Sequence, residues 1–147
     1  MEARSNELRG LLPGPVLRVE VPGPPVPKER AIPIVRGGRL VKQVTPPRTR
    51  AYMAHVLLFT EQALSRAGLG RTWPRGQLYV VELDIFRMRA GAGDKDNYEK
   101  AILDAVQARL FGDDCRVVDG PTRLHVDRDN PRAVFEVECF YRRRVSR

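Results

Sequence analysis

An α/β domain of the α+β kind, a small mixed β-sheet with two main helices packed on it, is the fold this chain predicts. Three observations predict it. Apolar residues alternate with polar ones near both ends and in the middle of the chain, as half-buried strands require. Two stretches instead repeat at three- and four-residue steps, the period of a helix with one buried stripe. The resulting order, β, hairpin, α, β, α, β, β, places helices against a sheet. At 147 residues one domain can bury a core without staples. The domain is expected over 16–141, between a flexible arm at 1–15 and a basic tail at 142–147.

Val16 to Val21 alternates as a first strand, stopped by Pro22-Gly23-Pro24-Pro25 because proline cannot donate to a ladder. Gly37-Gly38 between two short β-branched runs is a hairpin signal, since a two-residue turn needs positive φ. Arg36 and Arg39 flank that turn and give it a basic tip. Pro46-Pro47 opens a helix from about Arg48 to Ala67, ended by Gly68, with a core stripe of Met53, Val56, Leu57, Thr60, Ala63, Leu64 and Ala67. Gln77 to Met88 is the long strand: Tyr79, Val81, Leu83 and Ile85 on one face, Glu82 and Asp84 on the other. A basic loop carrying Arg87 and Arg89 leads into a second helix from about Asn97 to Leu110, buried along Tyr98, Ala101, Ile102, Ala105, Val106 and Leu110. Cys115–Val118 and Leu124–Val126 read as strand pieces broken by Gly120-Pro121, and Ala133–Tyr141 as the last strand.

The formal net charge is +8, and residues 1–50 hold ten Lys/Arg against four Asp/Glu. Spread positive charge is rewarded by a polyanion through counterion release, so nucleic acid is the expected partner. The cations placed to meet it are Lys28, Arg30, Arg36, Arg39, Lys42, Arg48, Arg50, Arg87 and Arg89. Arg48 and Arg50 oppose the helix dipole where they stand, which leaves a phosphate contact or chance to explain them. The two cysteines, Cys115 and Cys139, form no CxxC pair, and neither His55 nor His125 has a ligand spacing, which excludes a zinc site. Neither histidine is given a catalytic role. Trp73 is read as covering the core edge rather than stacking on a base. No apolar run reaches spanning length, so no membrane is implied and a cytoplasmic setting is expected.

Against this basic background, residues 94–114 gather six acids: Asp94, Asp96, Glu99, Asp104, Asp113 and Asp114. Like charges held close repel unless a cation stands between them. In an extended segment Asp94 and Asp96 point the same way and reach one ion, while Lys100 and Asp104 follow on one helical face. Magnesium takes oxygen ligands and keeps several waters, leaving room for a scissile phosphate. The same spacing also describes an N-cap at Asp96, a solvated face and an Asp-Asp turn.

The run Asp94-Lys95-Asp96-Asn97-Tyr98-Glu99-Lys100 with Asp104, followed by Phe111-Gly112-Asp113-Asp114 before a short apolar strand, resembles the RusA family of Holliday junction resolvases. Pro27-Lys28-x-Arg30 and Thr45-Pro46 extend the likeness, which spans roughly Val16 to Tyr141. The resemblance implies a small dimeric endonuclease, bacterial or phage-encoded, that uses Mg2+ (or Mn2+) to nick paired strands of four-way DNA junctions. By motif position it implies that Asp94, Asp96 and Asp114 hold the metal and that Lys100 supports catalysis, with Asp104 and Asp113 behind them. Tyr98 stands where the family commonly has leucine, and Gly120-Pro121 interrupts a segment usually read as strand. Two further readings accompany this one: a non-catalytic module for branched DNA, and a nuclease for other branched substrates such as flaps.

Overall fold

The computed structural model describes residues 8–91, 93–113 and 115–142. In chain order these form β1 (Leu12–Pro22), β2 (Ile32–Arg36), β3 (Arg39–Val44), α1 (Pro47–Arg66), β4 (Leu78–Arg87), α2 (Lys95–Val106), β5 (Arg116–Val126) and β6 (Arg132–Tyr141). One sheet has the order β1-β6-β4-β5, and β2 with β3 makes a separate hairpin. β6 runs antiparallel to β1 and β4, whereas β4 and β5 are parallel. A parallel pair cannot be closed by a tight turn, so α2 carries the crossover between them.

The alternation read from the sequence determines what this sheet buries. Leu17, Val19 and Val21 of β1, Tyr79, Val81, Leu83 and Ile85 of β4, and Ala133, Phe135, Val137 and Cys139 of β6 share one face. Both helices cover that face and complete a single core. Trp73 is buried there, as expected: its Nε1 donates to the Leu110 carbonyl at 2.9 Å and its ring stacks on Tyr79.

Four elements depart from their expected outlines. β1 begins at Leu12 rather than Val16, because its register with β6 slips between Pro13 and Val16 and one extra residue breaks the alternation. The buried stripe of α1 is Thr49, Tyr52, Val56, Thr60 and Leu64; Met53 and Leu57 are half-buried and Ala67 is exposed. α2 starts at Lys95, not Asn97, and ends at Val106, where a π-helical turn over Gln107–Phe111 takes over. The wider turn lets the consecutive Leu110 and Phe111 both be buried, which an α-helical step of 100° resists. β5 is one strand, not two pieces: Val81 pairs with Asp119 and Leu83 with Thr122, so Gly120-Pro121 is absorbed as a bulge.

Candidate nucleic-acid interface and metal site

The N-termini of both helices meet beneath the segment joining β1 to β2. The Lys28 N–H donates to the Asn97 carbonyl at 2.9 Å, and the Glu29 N–H to Thr49 Oγ1 at 3.3 Å. Pro27 packs so closely on Gly93 that a Cβ there would lie 2.9 Å from Pro27 Cγ. Gly93 also has φ of 129°, a conformation that side chains disfavour. The loop entering α2 is thereby pinned from above, and Asp94 with it.

Asp94 is the N-cap of α2, with extended backbone, and its carbonyl takes the Asn97 and Tyr98 N–H groups. Its carboxylate makes no capping hydrogen bond. That corrects two sequence expectations: Asp96 is not the cap, and Asp94 and Asp96 do not share an extended segment. Asp96 is instead the second residue of the helix, favourably placed on the N-terminal dipole. Both side chains are exposed, and no hydrogen bond or ion pair ties either to a described residue. Two carboxylates without internal work, two residues apart at the N-terminus of α2, suit a hard cation that prefers oxygen. Among the described residues no group of three or more His, Cys, Asp or Glu stands ready to hold a metal.

Beside them opens a cavity of about 660 Å³, lined by Lys28, Glu29, Arg30, Ala31, Asn97, Lys100 and Asp104. Lys100 and Asp104 face it one helical turn apart, as their spacing predicted. Asp104 forms an ion pair with Lys28. Its role is thus to hold a cation of the preceding segment. Asn97, passed over as a site residue, is the hinge of this arrangement through its carbonyl; side-chain chemistry gives no hint of a main-chain contact.

Arg48, Arg87 and Arg89 line a second, smaller cavity near the same helix ends. Arg36, Arg39 and Lys42 sit apart on the hairpin, whose residues are exposed almost throughout. Gly37 and Gly38 both have positive φ, 59° and 76°, as the tight turn requires. Arg50 is exposed on α1 and lines neither cavity.

Asp113 is not near Asp94 and Asp96. It precedes β5, whose first residue pairs with the start of β4, whereas Asp94 follows the end of β4. The length of β4 or of α2 separates the two positions, about 20–30 Å. Asp114, Arg143, Arg144 and Arg147 lie outside the described residues, as do residues 1–7 of the arm expected over 1–15.

The acids on the open face of the sheet belong elsewhere. Asp84 accepts from His125 Nε2 at 2.8 Å and lies 3.6 Å from Arg123, which also reaches Glu82 at 3.7 Å. Phe86 stacks on His125 and carries the Arg132 guanidinium on its ring, 3.8 Å from the centroid. His55, half-buried, donates from Nε2 to the Pro22 carbonyl at 2.7 Å.

An exposed carboxylate pair bordered by cations, at the end of a βαβ unit, is chemically suited to handling a phosphate chain. The comparison with known families makes the class specific. The model of the endodeoxyribonuclease RusA family matches residues 22–138, and the chain belongs to that family. It is a family of endonucleases that resolve Holliday junctions. No curated protein matches the sequence. No helix among the described residues is long and apolar enough to cross a membrane.

Proposed function

We propose that this protein is a magnesium-dependent, structure-selective DNA endonuclease that resolves Holliday junctions by paired symmetric nicks and works as a homodimer. The observation that carries this reading is the exposed Asp94/Asp96 pair, without internal partners among the described residues, beside the Lys28, Arg30 and Lys100 cavity of a RusA-family chain. Asp94 and Asp96 are the residues that would hold Mg2+, or Mn2+, with Asp114 as the third acid. When bound, such an ion polarises a phosphoryl oxygen and lowers the pKa of an attacking water. Lys100 and Arg30 are placed to bind and orient phosphate oxygens in the cavity, and Asp104 positions Lys28 through their ion pair. The hairpin, with Arg36, Arg39 and Lys42, extends the cationic track along the DNA.

Distance supports the homodimer. Asp113 stands about 20–30 Å from the Asp94/Asp96 end of its own chain. Acids from the two ends would meet only if two copies pair, so that each site draws on both. Two-fold pairing also suits the substrate, because a junction is resolved by two equivalent cuts. Free Cys115 and Cys139 accord with a reducing, cytoplasmic setting.

The test is incubation with an end-labelled four-way junction, a flap and an equal-length duplex, with and without magnesium. Symmetric nicks on the junction alone, and only with metal, are expected. Binding without scission in magnesium and manganese would replace this reading with a branched-DNA-binding module, and preferential flap cutting with a flap nuclease.

A further inference from the structure

We infer that Arg48, Arg87 and Arg89 form a second phosphate seat, which takes a backbone phosphodiester of the cleaved strand about two nucleotides from the scissile position. The inference rests on the nuclease reading above and extends it to the path of the strand. The three arginines line a cavity of about 170 Å³, walled by Pro24, Pro25 and Tyr98. Three guanidinium groups suit a charged phosphate rather than a neutral base.

Three independent features point to an anion. No acid lines the cavity, and none of the three arginines pairs with a carboxylate among the described residues. Arg87 is held in place: its guanidinium lies 5.9 Å from the Tyr98 ring centre and NH1 donates to the Gly93 carbonyl at 3.2 Å. Yet its Nε is buried without a partner, and a buried donor left unmatched is costly. A small turn of the guanidinium toward an anion oxygen in the cavity would satisfy it. Arg48 is the second residue of α1, whose first turn carries no acid and no side-chain cap, so unpaired main-chain N–H groups add their partial positive charge.

The spacing sets where on the strand this phosphate belongs. Tyr98 borders this cavity, whereas Asn97 and Lys100 border the larger one, so the first turn of α2 divides them. A helix with its side chains is about 10–12 Å across, and successive phosphates of one strand lie farther apart than their axial rise of about 3.4 Å because the strand winds about the axis, which separates the two seats by about two nucleotides.

The experiment uses four-way junctions carrying one uncharged methylphosphonate at a time, on the cleaved or the uncleaved strand, around the cut. With the parent protein, one position about two nucleotides away on the cleaved strand should weaken binding about tenfold, the scale of a charge-assisted contact. Arg48→Ala/Arg89→Ala should weaken binding to the unmodified junction similarly, and that methylphosphonate should then cost nothing further. Thermal unfolding of the variant, with both changes at exposed positions, controls for folding. If the variant adds its penalty equally at every position, or masks only a phosphate of the uncleaved strand, the seat is wrong. If the parent neither binds nor cuts the junction, the nuclease reading fails first.

Discussion

Asp94 and Asp96 show how much a single turn of backbone decides. Asp94 caps α2 through its carbonyl and leaves its carboxylate outward, while Asp96 enters the helix beside it. Asp96→Asn is therefore expected to lower junction cleavage by about 10²-fold or more while binding holds or tightens, since one repulsive charge near phosphate is removed. Parallel gel-shift and single-turnover cleavage assays separate the two effects; cleavage at the parental rate would remove Asp96 from the site. Gly120 raises a steric question at the same scale. A Cβ there would lie 2.5 Å from the Val81 carbonyl oxygen, a main-chain atom fixed in the β4–β5 ladder. Gly120→Ala should lose about 1–3 kcal/mol of stability, seen as a lowered denaturation midpoint. An unchanged midpoint would mean that the bulge can shift freely.

Among the elements, the hairpin is the most dispensable for folding and the most exposed to a partner. Ile32 to Val44 carries Arg36, Arg39 and Lys42 and no acid, and Val35, Leu40 and Val41 are more than half exposed. Each lysine or arginine that neutralises a phosphate contributes about 0.9 to the slope of log K against log salt. Arg36→Ala/Arg39→Ala should then reduce that slope by about 1.8 on duplex and junction alike, without altering thermal unfolding. An unchanged slope would place the DNA elsewhere on the molecule. The strap from Pro24 to Arg30 has the opposite character. It is bonded to both helix N-termini, so its proline content has a use: it holds a fixed path with few main-chain donors to satisfy.

For the whole molecule, pairing of two copies and the chemistry of the core each give a test. Mixing Asp96→Asn protein with Asp114→Asn protein should restore cleavage if each site draws acids from two chains. Half the dimers are then mixed and each has one intact site, so about a quarter of parental sites recover. No recovery from a mixture that does exchange subunits would return the acids to one chain. The core also responds to alkali. Burial pushes the Tyr79 hydroxyl up from 10.0 to about 12 and the Cys139 thiol from 9.0 to about 11, and raises Tyr52 as well. In each case the folded state keeps its proton at a pH where the unfolded chain releases it. The stability these groups contribute is intact below pH 9.0 and lost progressively as pH rises through about 11 and 12. Denaturant midpoints followed from pH 8 upward, about one unit apart, test this; a flat profile would mean these groups ionise in the folded state.

Local physics wrote much of this protein into its sequence. Alternation along Tyr79 to Ile85 and Phe135 to Cys139 required a half-buried sheet, and Gly37-Gly38 required a tight hairpin. The acidic run in a basic chain marked Asp94, Asp96, Lys100 and Asp104, because charges of one sign are clustered only at a cost. What escaped the sequence depended on neighbours distant along the chain. The bulge needs Gly120 because the Val81 carbonyl passes close by, and the π turn accompanies the burial of both Leu110 and Phe111 in the core. The ion pair of Lys28 with Asp104 joins residues 76 positions apart. Above all, Asp113 follows Asp96 closely in sequence yet lies at the other end of a parallel βαβ unit, since a crossover helix must return the chain to the far edge before the next strand begins. Sequence by itself determined which residues carry charge and which faces must be buried. Only the tertiary structure decided which of those charges share one end of the molecule, because that depends on strand direction, which no local pattern records.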